Sequence, residues 1–384
     1  MEDSGFGAEF SWKLYRSVSS GVENVIISPQ SVTAALMLAA LGAKGETEVQ
    51  IRKAVGLAEN SASEAQTAYS KLSQNMKNKS DTTSGGLIVT IANKLFARKG
   101  LSVVEKFQKD SAELYSSGIQ SMDFGGEPSE CLKTINQWVE DNTMQKIKDI
   151  LQEGMLSAAT KLVLANAIYF KGKWDKPFKT EKTEKVDFHV SSSNVVKVDM
   201  MREKYDMYCV ADDDLKFKAV SVPYQKRTMA MLILRPDEVD GISSLEEKMT
   251  TEKLTDTIGQ LRRGMKAKVD LGLPKFKFIK TSDLSGTLPD LGITHLFDPS
   301  KADLSGMVSG ETIAFTDVLH KAYIEVNEEG TEAAAATMMI SRMMMMPTQE
   351  VSFICDRPFL FILADMENSA ILFIGRYSFP SEWC

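Results

Sequence analysis

The sequence is poor in the residues on which most catalytic and metal-binding sites depend. Its 384 residues include only three histidines, His189, His295 and His320. It contains no Gly-x-Ser-x-Gly nucleophile turn, no His-Glu-x-x-His zinc helix and no phosphate-binding Gly-Lys-Ser/Thr loop. Cysteine pairs with metal-ligand spacing are also absent. We therefore predict a protein that is not an enzyme and that uses no catalytic residue, cofactor or metal.

Cysteine is scarce and signals for secretion are missing. The four cysteines, Cys131, Cys209, Cys355 and Cys384, are few for so long a chain and fit a reducing compartment, where we interpret them as buried or incidental thiols. The first ten residues lack the basic start and apolar stretch of a signal peptide. These features favour a cytoplasmic location. Secretion by an unconventional route, or after removal of a signal peptide, is the alternative.

Long apolar runs and an excess of positive charge are also lacking. No run of 18 apolar residues is present, so we expect no membrane span. Lys and Arg number 45 against 52 Asp and Glu, and the formal net charge of −7 argues against general nucleic-acid binding. Length alone would suggest two or three domains. Because no Pro/Gly/Ser-rich linker or internal repeat divides the chain, we predict one domain, residues 1–384.

The most informative stretch that is present lies between Val326 and Pro347. Gly330 is followed by small residues at 331–337, and methionine occupies six of the nine positions 338–346. An ordinary surface loop avoids such an apolar run, because exposed apolar patches promote association. A loop that is cut by a protease and then buried has a reason to carry it.

Two simpler interpretations of this stretch must be weighed against its neighbours. Helix propensity alone favours a helix around 333–336, and methionine is a common filler of protein cores. Upstream, however, 321–326 alternates as a strand does. Downstream, 358–363 and 371–375 are short apolar runs typical of buried strands. About thirty residues between strands form a loop so long that it is usually functional or disordered.

Short blocks in a fixed order run along nearly the whole chain. They are Asn24-Val-Ile-Ile-Ser-Pro-Gln-Ser31, Leu41-Gly-Ala-Lys-Gly-Glu-Thr47, Ala92-Asn-Lys-Leu-Phe96 with Asp123-Phe124, Ile135-Asn-Gln-Trp-Val139 with Thr143 and Ile147, Leu164-Ala-Asn-Ala-Ile-Tyr-Phe-Lys-Gly-Lys-Trp174, Leu273-Pro-Lys-Phe276, Ala302-Asp-Leu-Ser-Gly306, and Phe373-Ile-Gly-Arg376 with Pro380. Together they resemble the serpins, and Val326-Asn-Glu-Glu-Gly330 resembles their intracellular, ovalbumin-related branch. The resemblance implies an α+β serpin fold with three β-sheets, about eight or nine helices and an exposed reactive-centre loop at about 328–350.

The resemblance also implies an irreversible suicide-substrate mechanism. A protease would cut the loop and form an acyl-enzyme through its own nucleophile. The freed hinge would then insert into the main sheet as a new strand and trap the protease. In the family's register the inward positions are all small, so insertion would meet little steric resistance; they are Thr331, Ala333, Ala335 and Thr337. The predicted hinge residues are Glu328, Gly330, Thr331, Glu332, Ala333, Ala334, Ala335, Ala336 and Thr337.

The family spacing from Gly330 predicts cleavage between Met344 and Met345. An unbranched apolar side chain suits chymotrypsin-like, elastase-like or subtilisin-like serine proteases, and some serpins of this branch also trap papain-like cysteine proteases. The alternative is cleavage between Arg342 and Met343, which would suit a trypsin-like protease but leave a shorter inserted strand. The second functional hypothesis is a non-inhibitory serpin acting as a carrier, storage or chaperone-like binding protein. Such a protein would be expected to carry a proline, charge or bulky group at an inward hinge position.

Five further residues acquire predicted roles through the resemblance. Ser28, Ser31, Asn166 and His320 would form a buried hydrogen-bonded cluster that controls opening of the main sheet. Trp174 would lie below the point where the loop inserts. The simpler interpretations are a satisfied core histidine and an ordinary core tryptophan, since buried polar groups need partners in any fold.

The sequence also contains two groups of basic residues. The first is diluted by Asp175, Glu181 and Glu184, and mixed charges of this kind favour a solvated face. Although some serpins bind heparin or other polyanions, we therefore consider polyanion binding unsupported here. We expect a protease as partner, and neither nucleic acid nor a membrane. The basic residues are Lys171, Lys173, Lys176, Lys179, Lys182 and Lys185 in the first group, and Arg262, Arg263, Lys266 and Lys268 in the second.

Overall fold

The chain forms an α+β fold in which three β-sheets are surrounded by helices. A computed structural model describes residues 7–79, 86–115, 117–330 and 350–380. The α+β class, the three sheets and the predicted helix number are confirmed within these ranges. The nine α-helices described there are α1 (Ala8–Val18), α2 (Pro29–Gly42), α3 (Gly45–Ala54), α4 (Ala62–Lys79), α5 (Glu105–Tyr115), α6 (Pro128–Asp141), α7 (Ile242–Lys248), α8 (Thr251–Arg263) and α9 (Thr287–Asp290).

Strands account for much of the remainder, together with three short 3₁₀ helices at Thr180–Lys182, Gln225–Arg227 and His295–Phe297. The described strands are β1 (Val25–Ile27), β2 (Leu87–Arg98), β3 (Ser102–Val103), β4 (Ile119–Met122), β5 (Leu162–Gly172), β6 (Glu184–Ser191), β7 (Asn194–Asp212), β8 (Phe217–Pro223), β9 (Met229–Pro236), β10 (Lys266–Pro274), β11 (Phe276–Asp283), β12 (Val308–Ser309), β13 (Asp317–Val326), β14 (Val351–Ile354), β15 (Phe359–Asp365) and β16 (Ile371–Tyr377).

The main sheet has five strands in the order β11-β13-β5-β2-β4. Its central pair, β13 and β5, is parallel, with 317–323 opposite 163–169. We call this pairing the seam. β11 pairs with β13, and β2 with β5, in the antiparallel sense. β13 and β5 are hydrogen-bonded to each other, so among the described residues no other strand lies between them.

A nine-stranded sheet packs behind the main sheet. Its order is β1-β16-β15-β9-β8-β7-β10-β14, and β6 pairs with β7. The long strand β7 changes partners along its length. Its first part pairs with β6 and β10, and its last residues, from Cys209, pair with β8. Among the described residues, the third sheet consists of β12 and β3.

Both faces of the main sheet are covered, which explains its apolar strands. Cys131, Ile135 and Val139 recur every four residues along α6 and pack with the outer face of β2, β5 and β13. The inner face packs against α2 and the nine-stranded sheet. β5 is consequently buried at nearly every position and reads as an almost continuous apolar run. The strands predicted at 321–326, 358–363 and 371–375 lie in β13, β15 and β16.

Helix α2 runs behind the seam and is apolar on all sides. All of its residues except Leu41 are buried, as expected for a helix inside a large core. Pro29 occupies its first turn, and the side chain of Ser28 accepts a hydrogen bond from the backbone N–H of Ser31 at 3.1 Å. This serine cap fixes the start of the helix next to the seam.

The described cysteines are unpaired thiols, as predicted. Cys131 and Cys355 are buried and Cys209 is partly buried, whereas Cys384 lies outside the described residues. Among the helices that the structure describes, none combines the length and apolar character needed to cross a membrane.

Candidate functional site at the seam of the main sheet

The seam ends before its two strands do. Register pairing stops at Tyr323 and Tyr169, although β13 and β5 each continue for three more residues. Contact resumes above the strands, where the backbone N–H of Trp174 donates to the carbonyl of Glu329 at 3.0 Å. The main sheet is therefore closed along the seam and already parted near its upper end, where a new strand would have to begin.

Gly330 stands at this upper end, and its position requires glycine for two reasons. Its φ of 130° lies in a region that side chains disfavour. A Cβ atom would also lie 2.2 Å from the carbonyl oxygen of Gly172 and 2.6 Å from Cα of Lys173. Gly330, the last described residue of the predicted hinge, is thus held against the end of β5 by a close backbone contact.

The side chain of Trp174 packs under the residues that follow β13. It is buried, and its indole Nε1–H donates to the carbonyl of Asn327 at 3.0 Å. Its ring stacks on Tyr224 with centroids 4.5 Å apart, and Phe178 packs on it edge to face. The tryptophan therefore supports the segment that must pivot if the predicted loop inserts.

Glu328 ties the same segment to the surrounding strands. Its carboxylate accepts a hydrogen bond from Thr183 Oγ1 at 2.8 Å and pairs with Lys275 Nζ at 3.0 Å. Burial acts to raise the pKa of this carboxyl, but the hydrogen bonds from Lys275 and Thr183 and the charge of Lys275 outweigh it and hold the pKa below its usual value. Glu328 is therefore a charged anchor at the predicted hinge.

A second carboxylate anchors the neighbouring strand β7. Glu203 is 6% exposed and accepts from Lys182 Nζ at 3.1 Å, with Lys176 Nζ at 3.5 Å. Burial opposes the charge, yet the backbone N–H of Lys204 and the two lysines lower the pKa of Glu203. These contacts use two members of the first basic group, so that group is only partly a solvated face.

The polar cluster spans the seam itself. His320 and Asn166 are register partners on β13 and β5. His320 Nδ1 is hydrogen-bonded to Asn166 Oδ1, and His320 Nε2 accepts from the backbone N–H of Ser28 at 3.1 Å. The histidine is thus neutral, with its proton on Nδ1. A strand that inserts into the seam must break the hydrogen bond between His320 and Asn166.

The other end of Asn166 binds helix α2 and strand β2. Its Nδ2 donates to the Ser31 carbonyl at 3.0 Å, to Ser31 Oγ at 2.6 Å, and to Asn93 Oδ1. Ser28 Oγ donates to the carbonyl of Leu372 at 2.6 Å. The structure therefore brings Ser28, Ser31, Asn166 and His320 together, whereas Trp174 makes its contacts at the top of the seam.

Burial lowers the pKa of His320 to about 3. In the unfolded chain a histidine titrates near 6.5, so below that pH the unfolded state binds a proton that the folded state refuses. Stability must then fall as pH falls below about 6.5, by up to about 1.4 kcal/mol per pH unit from His320 alone. We expect the urea midpoint to decrease between pH 6.5 and 5, and His320→Gln, which cannot titrate, to flatten that slope.

His189→Gln is the matched control for this measurement. His189 lies in β6, partly exposed and away from the seam, so its replacement removes a histidine without disturbing the seam, and the slope should stay steeper than in His320→Gln. Measurements should stay above pH 5, because the lowered pKa values of Glu203 and Glu328 place the loss of their stabilisation at more acidic pH. A full slope in His320→Gln would assign the pH dependence to other groups.

Most of the predicted loop lies outside the described residues. This applies to the hinge positions Thr331, Glu332, Ala333, Ala334, Ala335, Ala336 and Thr337, and to both candidate bonds, Met344–Met345 and Arg342–Met343. Only Glu328 and Gly330 of the predicted hinge are described. The geometry of the site is consequently that of the receiving sheet and the anchor of the loop.

Several residues of the site were missed by the sequence analysis. Asn93 and Lys275 stand inside two of the quoted blocks, and Asn93 interrupts the apolar pattern of β2, a signal that a buried polar partner exists. Thr183 and Glu203 carried no such signal, because neither stands out in its local sequence. Within the described ranges no group of three or more His, Cys, Asp or Glu side chains could hold a metal ion.

Comparisons with known proteins agree with this geometry. The family model described as serpin (serine protease inhibitor) matches residues 7–380. Serpin B3 of Homo sapiens is 36% identical over 383 residues, covering 97% of this chain and 98% of that protein. The leukocyte elastase inhibitor of Homo sapiens is 34% identical, covering 98% and 99%. A crystal structure of human thyroxine-binding globulin complexed with thyroxine has a TM-score of 0.88 at 30% identity and covers 99% of both chains.

Fold, sequence blocks and relatives lead to one assignment. The similarity extends over nearly the whole chain, both in sequence and in structure. It confirms the predicted serpin fold. It also confirms the prediction that the protein is a protease inhibitor and not an enzyme. The chain belongs to the serpin family of serine protease inhibitors.

Proposed function

We propose that this protein is an irreversible suicide-substrate inhibitor of serine proteases, which traps the acyl-enzyme by inserting its cleaved loop into the seam. The observation that carries the proposal is the state of the main sheet. β13 and β5 pair directly, the pairing is lost three residues before their ends, and the loop is anchored at that point by Gly330. A cleaved loop starting there has a place to insert.

The topology fixes the direction of the inserted strand. A chain that leaves the top of β13 and turns back at Gly330 would run antiparallel to β13, and equally to β5, because those two strands are parallel. Insertion would replace one parallel pairing by two antiparallel ones. Antiparallel pairing is also slightly more stable per residue. The proposed product is therefore favoured by both the number and the kind of hydrogen bonds.

Asn327 and Gly330 are antiparallel bridge partners, so a strand that turned back there would set residue 331 opposite Val326 and residue 340 opposite Asp317. A loop cut at either candidate bond would therefore span the whole of β13. The family spacing from Gly330 supports Met344 as the residue before the cut, and a cut after Arg342 would leave a strand two residues, or about 7 Å, shorter. We propose Met344–Met345 as the reactive bond, with Arg342–Met343 as the alternative.

The proposed targets are proteases with apolar primary pockets. Methionine before the cut suits chymotrypsin-like, elastase-like or subtilisin-like enzymes, and the name of the leukocyte elastase inhibitor, 34% identical, supports an elastase-like target. Trypsin-like proteases would follow from the alternative bond. Papain-like cysteine proteases are a further candidate. We propose action in the cytoplasm, as in the ovalbumin-related branch, without a nucleic-acid or membrane partner.

A carrier function is the second hypothesis, and one relative favours it. Thyroxine-binding globulin, crystallised with thyroxine, has the same fold and 30% identity. The hinge composition points the other way, because its inward positions 331, 333, 335 and 337 are threonine and alanine. Small side chains are needed for rapid insertion and have no evident use in a carrier.

Incubation with a panel of serine proteases tests the function. We expect at least one chymotrypsin-like or elastase-like protease to form a complex that survives hot detergent, because the acyl bond is not hydrolysed once the strand has inserted. Mass spectrometry should show that the released C-terminal peptide begins at Met345. A peptide beginning at Met343 would instead identify the alternative bond and trypsin-like targets.

The same panel can contradict the inhibitory proposal. Clean cleavage by every protease, with full protease activity retained at each ratio, would leave the carrier hypothesis in its place. Resistance to all proteases would also argue against a bait loop.

A further inference from the structure

A cleft lined by positive charge opens where β7 changes partners. Its volume is about 510 Å³, a size typical of small-molecule sites. β7 pairs with β8 only from Cys209 onward, so the walls of the cleft stand apart before that residue. The cations that line it are Lys176, Lys204, Arg227, Arg262 and Lys266.

These cations come from segments that are distant in sequence. Lys176 follows β5, Lys204 lies on β7, and Arg262 and Lys266 flank the end of α8. Lys176 belongs to the first basic group and Arg262 and Lys266 belong to the second, and folding joins them in one concavity. The protein carries a net charge of −7, whereas the cleft sets five cations against the carboxylates of two lining residues. Such a concave region attracts anions more strongly than a flat surface does.

Two lysines are held over the cleft by tyrosine rings. Lys176 Nζ lies 5.0 Å from the ring centroid of Tyr205, and Lys266 Nζ lies 4.9 Å from that of Tyr208. Cation–π contacts of this kind restrict an ammonium group without using up all of its N–H donors. The charges are therefore partly positioned for a ligand before it binds.

The positive charge is concentrated at two ends. Lys176 Nζ donates to the backbone carbonyl of Lys204 at 2.7 Å, so these lysines share one end. Lys266 is the register partner of Tyr208 on β7. Four residues of β7 separate Lys204 from Tyr208, which is about 13 Å along a strand. One phosphate or sulfate group cannot contact both ends.

Neighbouring carboxylates reduce this charge without cancelling it. Arg227 pairs with Asp175 at 2.7 Å, Lys204 pairs with Glu350, and Lys176 Nζ lies 3.5 Å from Glu203. An anion at this end would compete with Glu350 for Lys204. Glu350 is at the C-terminal end of the predicted loop, so an anion bound to Lys204 would lie beside that end of the loop.

We propose that this cleft binds a compact organic anion that carries phosphate or sulfate groups at both of its ends. The site is separate from the seam, so it adds a ligand to the inhibitory function, on which this inference does not depend. It also differs from a polyanion track on an exposed face, because its cations line one concavity.

Isothermal titration calorimetry with matched sugars tests the proposal at low ionic strength. Fructose 1,6-bisphosphate should bind at least tenfold more tightly than fructose 6-phosphate, since only the bisphosphate can contact both ends. Lys204→Gln and Lys266→Gln should each weaken bisphosphate binding at least fivefold. Sucrose octasulfate tests whether sulfate groups bind in the same cleft. Whichever of sucrose octasulfate and fructose 1,6-bisphosphate binds more tightly assigns sulfate or phosphate as the preferred group.

Lys277→Gln provides the control. Lys277 Nζ lies 5.7 Å from the ring centroid of Tyr323, on β11 and away from the cleft, so this substitution removes the same charge and the same kind of contact. Binding should stay within twofold of the unmodified protein. The proposal is overturned if Lys277→Gln weakens binding as much as Lys266→Gln does. Equal binding of the mono- and bisphosphate, or no binding of either sugar class, would overturn it too.

Discussion

An arginine in place of Thr331 should convert the inhibitor into a substrate that is cut but does not trap. Residue 331 directly follows Gly330 and is the first inward position of the inserting strand in the family's register. Burying an unpaired guanidinium costs several kcal/mol, and each 1.4 kcal/mol added to the insertion barrier slows insertion about tenfold. Hydrolysis of the acyl-enzyme then wins. Titration of protease with the variant should show at least a tenfold rise in inhibitor consumed per protease inactivated.

Glu332→Arg is the matched control, because it introduces the same side chain at the next position, which is predicted to face outward. It should inhibit nearly as well as the unmodified protein. Ala335→Arg, four residues further along the hinge, repeats the inward test away from the carboxylates of Glu328 and Glu329. Undiminished trapping by both inward variants would show that the proposed register is wrong.

Much of the receiving sheet could be predicted from the sequence, because short-range pattern determines it. The alternation before Val326 and the apolar runs downstream indicated β13, β15 and β16. The block from Ile135 to Val139 lies in α6, and its position on the main sheet became clear only from the structure. The polar cluster at the seam followed only from the resemblance, since a serine near residue 28 and a histidine near residue 320 share no local signal.

The ion pairs could not be predicted, because they depend on strand register. Nothing in the local sequence distinguishes Lys182 from Lys179. Lys182 pairs with Glu203 because β7 runs past the short 3₁₀ helix that carries this lysine. The pairing of Lys275 with Glu328 likewise joins the start of one strand to the end of another. The cationic cleft has the same origin. Its charges converge along the part of β7 that precedes the pairing with β8.

Cleavage after Met344 should make the protein more stable, although most proteins lose stability when their chain is cut. Insertion would add about a dozen backbone hydrogen bonds at a net ~1 kcal/mol each. A gain on the order of ten kcal/mol rivals the whole stability of an ordinary domain. For a chain of this size it corresponds to a rise in unfolding temperature of roughly 10 °C or more. Calorimetry of the intact and cleaved protein measures it directly.

The cleaved Thr331→Arg variant separates insertion from cleavage in this experiment. Its chain would be cut at the same bond, but its hinge would be blocked, so its unfolding temperature should not rise. Cleavage after Arg342 should still give a rise, because residues 331–340 are enough to span the ten residues of β13. A cleaved protein that melts at or below the intact one would contradict insertion. In that case the hydrogen bond between His320 and Asn166 would simply stay closed, and the parted upper end of the seam would need another explanation.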